Sequence, residues 1–350
     1  MKQEVPRKKL VVFLVLSVLL ITFTFYFYQL FFTANVLVGK TDRLVVIRQG
    51  STFKSLQKQF HDEGVVNDVM SFSFVARLMG YDKVIKPGRY LLRGNMTNTA
   101  AVRALRMGQR NVVRLTFSHS RTIDELSEKI TAPLGVTPEE FRQALDEFLE
   151  KNQEGFTREN IIAMFIPNTY EVYFNLTPED LVERMHAEYQ AFWNESRRAQ
   201  ADSIGLTPME VSILASIVQS ESSKGSEAPV IAGLYINRLR KNIPLQADPT
   251  LIFATGDFTI KRVLNSHKEI DSPYNTYKYT GLPPGPVALP YISTLEAVLN
   301  FQQHDFIYMC AKEDFSGYHN FARTLREHER NASRYQQALS AEMRKAKQNK

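Results

Sequence analysis

The residues best placed to do chemistry lie at the end of one apolar run, Ile213-Leu-Ala-Ser-Ile-Val-Gln-Ser-Glu221. Leu214, Ile217 and Val218 fall at i, i+3 and i+4 and so share one face of a helix. The next position on that face is i+7, and it is Glu221. An apolar stripe therefore delivers a carboxyl group to a place where a Leu or Ile would ordinarily go. Burial disfavours the ionised form, and so does the negative end of a helix dipole. Both raise the pKa, as a general acid working near neutral pH requires. The structural alternative is a half-exposed Glu221 at a helix end, paired with Lys224.

The element that must hold Glu221 is legible at both ends. Thr207-Pro-Met-Glu210 supplies an N-cap threonine, proline at the first helical position and glutamate three residues after the cap. Gly225 marks the expected stop. A second helix is expected over about 227–240, carrying Asn237 and Arg238 near its end, followed by a polar turn at Leu245-Gln-Ala-Asp-Pro-Thr250. Residues 271–290 read as loop. There Tyr274, Tyr277 and Tyr279 alternate with Asn275 and Thr276, a mixture that suits a sugar site, since aromatic faces stack on sugar rings and amides bond their hydroxyls. A structural loop with buried tyrosines accounts for the same letters. Thr294–Asn300 reads as a helix, Phe306–Cys310 as a buried strand, Tyr318–Phe321 as a strand returning across it, and the stretch from about Thr324 as a charged amphipathic helix.

Upstream, capping boxes at Thr122-x-x-Glu125 and Thr137-x-x-Glu140, and a similar start at Thr177, open helices expected at about 123–131, 138–151 and 178–200. Residues 44–117 alternate strand and helix: a strand at Leu44–Ile47, helices to about Asp62 and over 67–79, a strand at 88–92, a helix at 97–107 and a strand at 112–117. Strand–helix–helix–strand is the shape of a LysM-type glycan-binding module. Before it, Leu10–Phe32 is an uncharged run of 23 residues. That suffices for a membrane span, which needs about 20 residues. Arg7, Lys8 and Lys9 precede the run, so the positive-inside rule puts the N-terminus in the cytoplasm and the rest outside. A cleaved signal peptide fits less well, because the run is long and lacks small residues at its end.

Several blocks, in order, resemble the MltG (YceG-like) family of endolytic murein transglycosylases. They are Phe165-Ile-Pro-Asn-Thr-Tyr-Glu171, Leu214-Ala-Ser-Ile-Val-Gln-Ser-Glu221, Ile236-Asn-Arg-Leu239, Leu245-Gln-Ala-Asp-Pro-Thr250, Tyr274-Asn-Thr-Tyr277, Gly281-Leu-Pro-Pro-Gly285 and His319-Asn-Phe321. The resemblance implies an α+β chain: an N-terminal transmembrane helix, a small LysM-like α/β module, then a mainly helical catalytic domain with a few short strands. Its divisions are a cytoplasmic tail at 1–9, an anchor at 10–32, the LysM-like module at 33–118 and the catalytic domain at 119–345. It implies cleavage of the β-1,4 bond between N-acetylmuramic acid and N-acetylglucosamine, leaving 1,6-anhydro ends, with Glu221 as the single acid and base. Asn237, Gln246, Asp248, Tyr274, Asn275, Tyr277, His319 and Asn320 are assigned to substrate binding. Partners implied are peptidoglycan strands, the cytoplasmic membrane of a bacterium and wall-synthesis enzymes. Two positions depart from the family pattern: Gln219, where many members carry glutamate, and Asn168, where many carry aspartate.

Composition bounds the alternatives. Hydrophobic content of 44% and charged content of 23% are ordinary for a globular chain. The net charge of +6 is carried largely by the two ends and gives no case for nucleic acid. The single cysteine, Cys310, excludes an intrachain disulfide and any cysteine-based metal cluster. No cofactor or metal is called for, since His304, His319 and His328 lack tight ligand spacing on one element. Three rival readings remain: an inactive membrane-anchored glycan-binding scaffold, for which Gln219 speaks; a hydrolase using Asp248 or Glu227 as a second carboxylate; and a metal-dependent hydrolase using His319.

Overall fold

The computed structural model describes residues 7–108 and 112–348. The chain forms two compact units. One runs up to Arg114 and takes in Pro133–Thr137 and Glu171–Thr177; the other holds the remainder.

The first unit opens with α1 (Arg7–Phe32), apolar and exposed along nearly its whole length and long enough to cross a membrane. Its last turn is different. Leu30 is buried, and Phe31 packs on the same core. Then follow β1 (Ala34–Val36), β2 (Arg43–Ile47), α2 (Phe53–Asp62), α3 (Val69–Leu78), β3 (Gly88–Leu92), β4 (Met96–Thr97), α4 (Asn98–Met107) and the first residues of β5 (Val112–Thr116). Local chemistry sets these boundaries. Thr52 and Ser55 form a reciprocal capping box at α2, Asp68 caps α3 and Thr97 caps α4. β2 and β3 pair antiparallel, Arg43 opposite Leu92 and Ile47 opposite Gly88, so the expected strand–helix–helix–strand order is present. The sequence reading missed the short β1–β4 pair. The core joins Val45, Ile47, Leu56, Phe60, Phe72, Val75, Tyr81, Tyr90, Leu92, Val102 and Leu105.

The second unit is mainly helical. α5 (Ile123–Thr131) and α6 (Pro138–Lys151) match expectation. β6 (Thr169–Tyr173), the partner of β5, begins in the block Phe165–Glu171, to which the sequence reading gave no secondary structure, and ends two residues beyond it. The helix expected over 178–200 is two: α7 (Pro178–Phe192) and α8 (Glu195–Ile204). Asn194 is extended there and caps α8 by accepting from the Arg197 amide, while Trp193 is buried at the break. Next come α9 (Pro208–Glu221), α10 (Ala228–Arg240) and α11 (Asp248–Thr255). The expected polar turn at 245–250 therefore runs into a helix that sequence reasoning missed; Pro249 sits in its first turn, where a missing amide costs nothing. α12 (Ile292–Leu299), the hairpin β7 (Tyr308–Ala311) and β8 (His319–Ala322), and α13 (Leu325–Gln348) complete the chain. β7 is half-exposed rather than buried, because its residues line a cleft.

α9 is the axis of this unit. Every residue from Val211 to Val218 is buried, against α8, α10, α11 and α12. A helix apolar on all sides is what such a position demands. Thr207 and Glu210 form the expected capping box. The helix does not run on to Gly225. It stops at Glu221, where Ser222 turns extended, and Gly225 opens a short 3-10 turn instead.

Candidate active site

Glu221, the last residue of α9, faces a cleft of about 470 Å³. Its Oε1 accepts a hydrogen bond from the Tyr235 hydroxyl at 2.6 Å. Tyr235 stands on α10, the helix packed beside α9. Burial pushes the Glu221 carboxyl up to about 7; the Tyr235 bond opposes the rise, the negative charge of Asp248 adds to it and Arg238 opposes it. Lys224, the partner in the structural alternative, lies instead over the Tyr318 ring.

α10 also supplies Arg238, buried at 7% exposure. Its guanidinium donates to the carbonyls of Ile307, Pro244 and Leu245 and to Gln246 Oε1. It thus ties β7 to the segment entering α11 and brings a positive charge to the cleft wall. Gln246 has a φ of 53°, a left-handed conformation strained for a side chain that is not glycine. The strain is held by its amide bond to the Thr276 carbonyl and by the bond from the Ala247 amide to Thr276 Oγ1. Asp248 follows, with Oδ1 accepting from the Tyr277 hydroxyl at 2.6 Å. Behind His319, the buried Glu227 accepts from the His319 amide and bonds its Nδ1 at 2.9 Å, while Ser222 Oγ donates to the same carboxylate. That leaves Nε2 as the His319 ring nitrogen not engaged by Glu227. Tyr308 and His328 stack on each other, and burial followed by the Arg238 charge holds the His328 imidazole below its ordinary pKa.

Of the residues singled out in the sequence, Glu221, Gln246, Asp248, Tyr277 and His319 line this cleft. Four others do not. Asn237 points away and donates to the carbonyls of His304 and Phe306. Asn275 is wholly buried and braces its own loop through the carbonyls of Lys268 and Ile270. Tyr274 packs against the Phe253 ring at a tilt of 44° in a separate pocket with Arg121 and donates to the Glu159 carbonyl. Asn320 donates to Glu313 across the hairpin. Sequence reasoning missed Tyr235, Arg238, Tyr308 and His328 as cleft residues. One signal was available: Ile231, Tyr235 and Arg238 fall at i, i+4 and i+7, the pattern that singled out Glu221.

Gln219 is a structural tie. Its Nε2 donates to the Leu289 carbonyl, and its Oε1 accepts from the Tyr291 amide at 2.6 Å and from Thr294 Oγ1. These bonds hold the entry to α12 against α9. Nearby, Gly285 can only be glycine, since a Cβ there would stand 1.9 Å from the Glu159 carbonyl oxygen. Among the described residues no three His, Cys, Asp or Glu side chains are grouped as metal ligands.

Residues 45–334 match the model of the YceG-like family. The chain belongs to that family. A family relative from Bacillus subtilis, an endolytic murein transglycosylase, is 26% identical over 85% of this chain and 86% of its own length. Another of that name, from Streptococcus pneumoniae, is 26% identical over 83% of this chain and 58% of its own length. A crystal structure of a YceG-like protein from Listeria monocytogenes superimposes with a TM-score of 0.53 at 25% identity, covering 83% of this chain and 98% of the other.

Proposed function

We propose that the chain is an endolytic peptidoglycan lytic transglycosylase with Glu221 as its general acid and base. The observation that carries this reading is the Glu221 carboxyl at the end of a buried helix, facing an open polar cleft and bonded by the Tyr235 hydroxyl, where burial pushes its pKa up to about 7. Protonated Glu221 gives its proton to the glycosidic oxygen between N-acetylmuramic acid and N-acetylglucosamine, and the bond from C1 of the muramoyl sugar to that oxygen breaks. The carboxylate then takes the proton of the C6 hydroxyl on the same sugar. The C6 oxygen closes on C1 as a 1,6-anhydro ring, and Glu221 ends protonated. No water is consumed. A pKa near 7 suits a group that must give and accept a proton in one cycle. Tyr235 steadies the carboxylate between the two transfers. Gln246, Asp248, Tyr277 and His319 are assigned to holding the sugars.

The apolar α1 supports a single-pass anchor in the bacterial cytoplasmic membrane, with residues 33–350 outside and Arg7, Lys8 and Lys9 on the cytoplasmic side. We read 33–118 as a LysM-like glycan-binding module and 119–345 as the catalytic domain. Anchored this way, the site would cut strands close to the membrane, where wall-synthesis enzymes would be its neighbours. Hydrolysis is the second reading, favoured by Asp248 in the same cleft, because a hydrolase uses two carboxyl groups. Mass spectrometry of products from uncrosslinked glycan strands separates the readings. Internal fragments with 1,6-anhydromuramoyl ends, absent for Glu221→Gln, are expected. Reducing ends would mean hydrolysis. Binding without cleavage by the parent chain would mean a scaffold.

A further inference from the structure

The first unit carries an unpartnered apolar stripe beside the end of α1. On α3, Met70, Phe74 and Leu78 are 81%, 49% and 63% exposed. They fall at i, i+4 and i+8, one ridge of the helix, roughly 12 Å long at 1.5 Å per residue. The opposite face of α3 is well buried through Phe72, Val75 and Ala76, so the helix does not need this ridge for its own core. Its sequence holds no acidic residue and one charged residue, Arg77.

The stripe is tied to the end of α1 by a buried polar knot. A helix leaves its last carbonyls without partners. Here Asn98 Nδ2 donates to the Leu30 carbonyl and Thr99 Oγ1 to the Phe31 carbonyl. Asn98 also donates to Ser71 Oγ on α3, and Asn35 Nδ2 reaches Ser71, Asn98 and the Asp68 carbonyl. Asn35, Ser71 and Asn98 are all buried. Breaking such a network strands polar groups away from water, so α1 and α3 move as one piece. Met70 is the neighbour of Ser71 in this knot.

Length fixes the depth of the knot. Leu30 is covered by protein while Phe32 is exposed, so the apolar length left for lipid runs from Leu10 to the turn between Gln29 and Phe32. At 1.5 Å per residue that is roughly 30 Å, the thickness of a bilayer's hydrocarbon core. The knot therefore stands at the boundary where hydrocarbon gives way to headgroups, with no linker between. We propose that the Met70–Phe74–Leu78 face of α3 lies in the interface of a phospholipid bilayer, with Arg77 among the headgroups, and holds the first unit down on the membrane. The inference rests on reading α1 as the anchor.

The test uses the full chain with Cys310→Ser, reconstituted in phosphatidylethanolamine–phosphatidylglycerol vesicles. A polarity-sensitive fluorophore is attached in turn through Leu20→Cys, Met70→Cys, Phe74→Cys and Leu78→Cys. Quenching by lipids spin-labelled high on the acyl chain at Met70 and Phe74, with loss of quenching by aqueous iodide, is the expected result. Quenching at Leu20 alone, with iodide reaching all three α3 sites, would overturn the inference and leave the anchor standing. Shielding of the α3 sites from iodide without quenching by lipid would also overturn it, because a second copy or another protein would then cover the face. Absence at Leu20 of quenching by lipids spin-labelled near the acyl-chain end would remove the anchor reading and this inference with it.

Discussion

Replacing Glu221 by glutamine keeps the shape of the side chain and removes its charge. In the folded chain the carboxyl titrates at about 7, against 4.5 for an ordinary one. At about 1.4 kcal/mol per pH unit, that gap amounts to about 3 kcal/mol. Below about pH 4.5 the carboxyl is neutral in both folded and unfolded chains, so parent and variant are equally stable. Between about 4.5 and 7 the unfolded chain releases the proton while the folded chain keeps it, so the parent loses stability as pH rises. Above 7 the folded parent carries a buried carboxylate and the variant does not. Glu221→Gln should then melt higher by roughly 6–12 °C for a unit of this size, an upper bound because Glu221 keeps some contact with water in the cleft. The assay is thermal unfolding of the full chain in detergent micelles, followed by circular dichroism from about pH 4 to about pH 9. A difference in Tm that does not change with pH, or a variant less stable than the parent at alkaline pH, would falsify the claim that Glu221 is held against its own ionisation.

Two substitutions should move the pH profile in opposite directions. The parent should lose kcat/KM as pH rises through about 7, because the proposed mechanism needs Glu221 protonated. Tyr235→Phe removes a hydrogen bond to a charged acceptor, worth about 1.5–3 kcal/mol, and should carry that limb alkaline by about one to two pH units. Asp248→Asn removes a nearby negative charge and should carry it the other way by a fraction of a unit to about one unit; limbs that stay put in both would mean that another group sets the profile. Gln219→Ala should lower stability by about 1–3 kcal/mol by stranding the Leu289 carbonyl and Tyr291 amide, yet leave the limb in place. A limb displaced by that change would make Gln219 part of the acid–base apparatus.

Most of the fold was legible because its elements are set by local signals. Capping residues at Thr52, Asp68, Thr97, Thr122 and Thr207 each accept from the first-turn amide that their type predicts. The failures share a cause. The break between α7 and α8 turns on Asn194, a residue that also tolerates a helix interior, and on the burial of Trp193, which local pattern does not encode. β6 exists because β5 is there to pair with it. α11 has no side-chain cap to announce it; it begins where Thr276, distant in sequence, fixes Ala247 and Thr250.

The site divides along the same line. Glu221 was legible because its position on an apolar stripe is a conflict: α9 buries five large aliphatic side chains, worth roughly 8–15 kcal/mol, and spends part of that on a carboxyl it would be more stable without. Such a conflict is visible in one helix. Asn237 and Arg238 show the limit of that reading. They are adjacent, both polar and near one helix end, so residue type alone cannot separate them. Their side chains diverge by about 100° around the helix, and only the face shared with Ile231 and Tyr235 reaches the cleft. The apolar stripe that ends in the Glu221 carboxyl on α9 thus recurs on α10 with the Arg238 guanidinium at its end. Tyr235, between them, is bonded to Glu221 and on the same face as Arg238. Asn275 shows the converse. It is polar and sits in a tyrosine-rich loop, yet it is spent wholly on backbone groups, and it is this spending that sets Tyr277 against Asp248. Asn275 satisfies the Lys268 and Ile270 carbonyls and the Tyr277 amide, and the Tyr277 side chain is the one from this loop that reaches the cleft.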